Sequence, residues 1–362
     1  MRGKRPTISD VARAAGVSKA TVSAVLNDNS VVGTATRERV LAAIELLNYR
    51  PTQFASRAVR RDRCIALIIK EHDNPYYGGV IDGVRSCAEA QGYVLLVFSS
   101  GGDYAAERRG VECLRARDVD GLIVTPALDG DADLSHFFEL KRRNIPFVLL
   151  EEVRGVPASL VDVDNRDASR RATEHLIALG HSRIAHLAGP PYSAHSEERS
   201  DGFRRAFSAS RLVFHDDDIV PAGAHLEDGY RAALALFGAR AAGERPTAVT
   251  CYNDLVAMGA CRALRELGLG VPDDVSIVGF DDIPMCEYLS VPLTTMRVPT
   301  FTMGESAARM LVRHVESDEA VAPQKVFLEG ELVRRASTAP CPVAASDPLR
   351  TTGIAHPLEH AP

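Results

Sequence analysis

The chain has 362 residues, 46% apolar and 25% charged, with a net charge of −6; this length implies two or three domains, and the composition is that of a globular protein. No stretch reaches the roughly 18 apolar residues of a membrane helix, and the basic start MRGKRPTISD leads into no apolar run of a secretory signal, so a cytoplasmic protein is expected. The seven cysteines form no CxxC pair, which argues against a disulfide framework and against a zinc site.

Charge is unevenly spread. Residues 1–63 hold twelve Lys and Arg against five Asp and Glu, whereas the remainder holds thirty against forty-three. A small basic head on an acidic body implies that only the head meets a polyanion. Within it, Thr7 and Asp10 have capping-box spacing, so a helix starts near Ile8, and Gly16 offers a left-handed stop. Ser18 caps a second helix that buries Val22, Val25 and Leu26, and a third spans roughly 34–48 with Val40, Ile44 and Leu47 on one face. Two helices around a glycine turn, braced by a third, describe a helix-turn-helix whose second helix fits a DNA major groove. The hydroxyls of Thr7, Ser18, Thr21 and Ser23 suit phosphate contacts at helix N-termini. A linker follows at 51–63, whose Arg57, Arg60, Arg61 and Arg63 also suit phosphates.

From residue 64 apolar runs alternate with helical stretches. CIALIIK (64–70), YVLLVFS (93–99), GLIVTP (121–126) and PFVLLE (146–151) form one series; RIAHLAG (183–189), TAVTCY (247–252) and VSIVGF (275–280) form a second. Helices are expected at 78–90, 104–117, 166–179, 197–210, 227–238 and 254–267. Continuous apolar strands between helices imply parallel sheets covered on both faces, and two series imply two similar lobes. The fold class is therefore an all-α head followed by an α/β body of two parallel-sheet lobes.

Open α/β sheets bind ligands beyond the carboxyl ends of their strands, which places a site between the lobes. Polar residues gather at those ends: HDNPYY at 72–77, Asp164 and Asn165, Arg199, Asn253 and Asp254, Asp281 and Asp282. Arg supplies a fork of donors, Asp acceptors and Asn both, a mixture suited to sugar hydroxyls and equally to a purine. No GxGxxG follows a strand, and GxxxxGK[ST], GxSxG and HExxH are absent, so neither an enzyme nor a bound cofactor or metal is expected.

ISDVARAAGVSKATVSAVLN, followed by TRERVLAAIELLNYRP, resembles the DNA-binding head of the lactose-repressor/galactose-repressor (LacI/GalR) family of bacterial regulators, and the likeness runs on to VRRASTAP at 333–340. The resemblance implies a ligand-responsive regulator, most often a repressor, bound as a dimer to palindromic operator DNA. It assigns base reading to Lys19, Ala20 and Ala24, the last commonly Arg in the family, and includes Asn27 in the DNA-binding set. It implies a hinge helix whose minor-groove leucine falls here at Ala58, with Val59 beside it. For the body it implies a fold shared with periplasmic sugar-binding proteins, with Arg199, Asn253 and Asp281 on a small polar effector and Tyr76 and Tyr77 stacked against it; Asp164 joins this effector-binding set by its place at a strand end. The expected effector is a sugar or sugar derivative. A nucleobase corepressor is the alternative, and a solute-binding protein without a DNA role is the reading from another class.

The organisation that results is a DNA-binding head at 1–50, a hinge at 51–63, a ligand-binding and dimerising body at 64–336, and a tail at 337–362. The tail, STAPCPVAASDPLRTTGIAHPLEHAP, carries five prolines and no heptad pattern, so it is expected to be disordered, and a dimer rather than a tetramer is expected.

Overall fold

The computed structural model describes residues 7–26, 32–47, 63–117, 119–127, 133–210, 212–319 and 321–342. Asn27, Arg57, Ala58 and Val59 lie outside them, as does the tail from 343. The chain divides into two compact units, Met1–Arg63 and Cys64–Pro362.

The first unit holds three helices, α1 (Ile8–Ala15), α2 (Lys19–Leu26) and α3 (Thr34–Leu46). The Asp10 carboxylate accepts from the Thr7 N–H at 2.9 Å, which fixes where α1 begins. Gly16 ends it at φ 64°, and Val17 N–H returns to Ala12 O at 3.0 Å. Only glycine enters that left-handed turn without strain, so the angle between α1 and α2 is written into this position. Val11, Ala12 and Ala15 of α1, Val22 and Val25 of α2, and Val40 and Ala43 of α3 form its core.

The second unit is two lobes of parallel sheet. Lobe 1 carries β1 (Arg63–Ile69), α4 (Tyr76–Ala90), β2 (Tyr93–Ser99), α5 (Tyr104–Arg115), β3 (Gly121–Val124), α6 (Ser135–Arg142), β4 (Phe147–Leu149) and β5 (Ser159–Val163). Lobe 2 carries α7 (Asn165–Ala178), β6 (Ile184–Ala188), α8 (Ala194–Ala209), β7 (Ile219–Pro221), α9 (Leu226–Gly238), β8 (Ala248–Cys251), α10 (Asp254–Glu266), β9 (Ser276–Asp281) and β10 (Thr294–Arg297). The chain then returns to lobe 1 for α11 (Thr300–Glu316) and β11 (Lys325–Leu328), and to lobe 2 for β12 (Glu331–Val333). The lobes are thus joined at three crossings.

Strand order is β11-β5-β4-β3-β1-β2 in one sheet and β12-β10-β9-β8-β6-β7 in the other. Both faces are covered, as the unbroken apolar runs require. In β1, Ile65, Leu67 and Ile69 pack with α4 and α11, while Ala66 and Ile68 pack with α5 and α6. Close helix pairing rests on glycine: a Cβ on Gly83 of α4 would stand 2.0 Å from Phe301 O of α11, and one on Gly259 of α10 2.0 Å from Leu226 O of α9.

The expected tail is corrected at its start. Ser337 is fully buried: its carbonyl accepts from Ile277 N–H at 2.8 Å and its hydroxyl from Thr294 N–H at 2.8 Å. Cys341 N–H donates to Leu179 O at 2.9 Å, and Ala339 O meets His181 Nε2 at 3.0 Å. A proline-rich segment needs no helix to be held; its free carbonyls and the Ser337 hydroxyl serve lobe 2 instead. Truncation after Pro342 is expected to leave the denaturation midpoint and the oligomeric state unchanged. Truncation after Ala336 is expected to cost about 4 kcal/mol, at about 1 kcal/mol net for each of these four hydrogen bonds, measured by urea unfolding and sedimentation of the two shortened chains.

Candidate functional site

In the head, Lys19 and Ala20 are exposed on the first turn of α2, and Ala24, one turn on, is half-buried beside Ser23. Three of the hydroxyls expected to meet phosphates, those of Thr7, Ser18 and Thr21, are engaged locally. The Thr7 hydroxyl donates to Asp10 at 2.6 Å, and the Ser18 Oγ accepts from Thr21 N–H at 3.1 Å while lying 2.9 Å from the Thr21 hydroxyl. These caps order the start of each helix.

In the body, the order of each sheet reverses between β1 and β3 in lobe 1 and between β6 and β8 in lobe 2. A doubly wound sheet opens a crevice at such a reversal. Lys70 follows β1 and Thr125 follows β3; His195 and Arg199 lie on the helix after β6, and Tyr252 and Asn253 follow β8. All six line the cavity between the lobes, with Glu71, Asn74, Tyr76, Tyr77, Ala224 and Asp281. The cavity measures about 60 Å³, well below the roughly 300–1,000 Å³ of an open ligand pocket, and side chains of the two lobes meet across it, His195 with Asp162 and His225 with Glu71, so the lobes stand closed.

Arg199 is the centre of the lobe 2 wall. It is 4% exposed; its Nε donates to Asn165 Oδ1 at 2.8 Å and its Nη1 donates to Tyr252 O. The guanidinium lies 3.6 Å from the Phe280 ring centroid and 4.8 Å from that of Tyr252, so aromatic faces and two acceptors fix its plane. Asp281 Oδ1 stands 3.9 Å from Nη1. Burial pushes the Asp281 carboxyl above its usual range despite this arginine. Asp281 ends β9 with φ 115° and Asp282 follows at φ 59°; two successive non-glycine residues at positive φ are strain of the kind held at binding sites. Asn253 caps α10, accepting from Val256 N–H at 2.9 Å and donating to Ala224 O at 2.8 Å. Tyr76 and Tyr77 meet edge to face at 5.2 Å.

Asp164 is not brought to this site. It is exposed and caps α7 through Asp167 N–H at 2.9 Å. Its neighbours take the place expected of it: Asn165 braces Arg199, and Asp162 is buried in β5.

A run of buried ions crosses the cleft. Lys70 pairs with Glu151, which also accepts from the Ser193 hydroxyl at 2.7 Å, and His195 Nε2 sits 2.9 Å from Asp162 Oδ2. His195 Nδ1 lies 3.9 Å from Glu151 Oε2. Burial opposes ionisation of Glu151, yet Lys70 and then His195 outweigh it and hold the carboxyl at about 2. Burial likewise works against His195⁺, and Asp162 and Glu151 overcome it, raising the imidazole above its usual value. Lys70, Glu151, Asp162, His195 and Tyr252 were not among the residues singled out from sequence. The signal that finds Lys70, Glu151 and Asp162 is a carboxylate or lysine closing or interrupting an apolar strand, as in IIKE, LLEE and SLVDV.

Residues 7–52 match the family described as bacterial regulatory proteins, lacI family, and residues 173–338 match the periplasmic binding protein-like domain. The chain is 35% identical over 334 residues to the HTH-type transcriptional repressor PurR of Vibrio vulnificus, spanning 91% of this chain and 97% of that protein. It is 37% identical to the HTH-type transcriptional regulator MalR of Streptomyces coelicolor, spanning 92% and 97%. Among solved structures it resembles the transcriptional regulator CelR–cellobiose complex, with TM-score 0.69, 33% identity and coverage of 92% of this chain and 100% of that one. It also resembles the lac repressor dimer bound to operator and the anti-inducer ONPF, with TM-score 0.69, 29% identity and coverage of 93% and 100%.

Proposed function

The chain belongs to the LacI family of bacterial regulatory proteins and is a DNA-binding transcriptional regulator, and from that premise we propose that it is a repressor that binds a palindromic operator as a homodimer and is controlled by a neutral sugar in the cleft between its lobes. Half-site reading needs two heads related by a two-fold axis, which a dimeric body supplies. The observation that carries the effector reading is the lining of the cleft. Arg199, Asn253 and Asp281 offer donors and acceptors on one wall, Tyr76, Tyr77 and Tyr252 offer ring faces, and the buried cations Lys70 and His195 already have carboxylate partners. A charged ligand would unbalance that set, whereas a polyol exchanges hydroxyl contacts without doing so. The CelR neighbour is solved with cellobiose, which supports the same class. Binding requires the lobes to part and close again, because the closed cavity is too small for a ring.

Thermal shift against mono- and disaccharides, with adenine and guanine as the other arm, tests this, since a ligand stabilises by RT ln(1 + [L]/Kd). A shift with a purine and none with any sugar replaces the sugar by the nucleobase. In the head, Lys19→Ala is expected to weaken operator binding by roughly 1–3 kcal/mol, the worth of a guanine contact from a recognition helix. The loss is expected on operator and not on random duplex, measured by fluorescence anisotropy; an equal loss on both reassigns Lys19 to phosphate.

A further inference from the structure

Two histidines of lobe 2 reach across the cleft to carboxylates of lobe 1. His195, in the first turn of α8, meets Asp162 of β5 at 2.9 Å and lies 3.9 Å from Glu151, which follows β4. His225, the residue before α9, meets Glu71, which follows β1, with its Nε2 at 2.8 Å, and its Nδ1 is 3.1 Å from Asp228 of its own helix. One latch is buried deep in the cleft and the other half-exposed at its mouth. We propose that closure of the two lobes takes up protons, with His195 and His225 as paired latches that hold only while their imidazoles are charged.

The charges around each latch set the sign. His195 faces Asp162 and Glu151 from lobe 1, with Lys70 beyond Glu151; from lobe 2 it faces Arg199 and Glu198 of its own helix and Asp281 of β9. His225 faces Glu71 and Asp228. Burial lowers both imidazoles, and the carboxylates outweigh it, so both stand above the usual value. When the lobes part, each histidine loses its lobe 1 carboxylates and falls back toward ~6.5. The closed form is therefore fully favoured below about pH 6.5 and loses that advantage as pH rises through the raised values. Arg154 and Glu197 also pair across the cleft. The same cleft is the effector site under the reading above, and only on that reading does effector affinity become proton-linked.

Hydrogen exchange of the full chain without effector, from pH 6.0 to 8.5 and divided by intrinsic chemical rates, tests the latches apart from the effector. In the unmodified protein, protection at residues 194–197 and 224–229 is expected to fall at least tenfold across that range, while 256–264 in α10 holds its value. In the double variant His195→Gln, His225→Gln the cleft amides are expected to show no pH slope, with α10 unchanged. Flat protection in the unmodified protein, or an unaltered slope in the double variant, overturns the proposal. His225→Gln alone, at a half-exposed position, guards against misfolding of the double variant: it is expected to lose slope at 224–229, and a full slope there also overturns it.

Discussion

Arg199→Ala is expected to silence the effector response while leaving operator binding intact. The side chain is buried and held by Asn165, Tyr252 and the Phe280 ring, so its guanidinium is already oriented for a ligand that enters the cleft. Removing a buried charged hydrogen-bonding group costs up to about 3 kcal/mol, so effector affinity is expected to fall ~100-fold. Arg199→Lys keeps the charge without the planar fork and is expected to fall between the two. Effector titration by calorimetry, beside operator binding by anisotropy, reads both. An unaltered titration in Arg199→Ala would move the effector out of the cleft.

The second large effect is on stability. Glu151 is fully buried between Lys70, Ser193 and His195, and Glu151→Ala leaves two cations without their shared partner. Breaking a buried pair from one side costs about 3–5 kcal/mol, and that range is expected here because Lys70 is stranded while His195 keeps Asp162. Urea unfolding at pH 7 measures it. The carboxyl is held at about 2, below its unfolded value of ~4.3. Its stabilisation is therefore complete above about pH 4.3 and fades as pH falls toward 2, so the difference between the two proteins is expected to narrow over that window. A variant as stable as the parent at pH 7 would show that the ion chain contributes nothing to the fold.

Local signals were legible in the sequence wherever chemistry and structure act over a few residues. The capping residues Thr7 and Ser18, the stop at Gly16, and the apolar runs of β1, β3 and β9 all lie where their side chains imply. What escaped depends on partners far apart in the chain. β10 reads TTMR, a polar string, yet Thr294 and Thr295 are fully buried because Ser337, Thr338 and Asp254 satisfy their hydroxyls and amide. Asp254 lies at a strand end in the sequence, but its carboxylate accepts from the Thr295 hydroxyl and Ile283 N–H and fixes the end of β9. The ion run joins residues 70, 151, 162 and 195, whose meeting only the tertiary fold decides. In the cleft, Arg199, Asn253, Asp281, Tyr76 and Tyr77 share one cavity as the strand-end argument expects, while Asp164 shows how one residue of register separates a cap from a ligand-facing side chain.

The three crossings between lobes also set an order of assembly during synthesis. α11 packs on α4, β3, β4 and β5, and β11 closes the edge of β5, yet both are made after almost all of lobe 2. At the ribosome, with ~5–20 residues added per second, roughly 8–30 s separate the end of β5 from the end of α11. Throughout that interval the face of lobe 1 formed by Leu67, Ile123 and Val161 has α4 but lacks α11, the second of its two covering helices. The half of the body that is begun first thus waits for elements made after nearly all of the other half, so a nascent chain of this protein is expected to be a client of chaperones that bind bare apolar sheet, and to lose that affinity once residue 316 clears the exit tunnel.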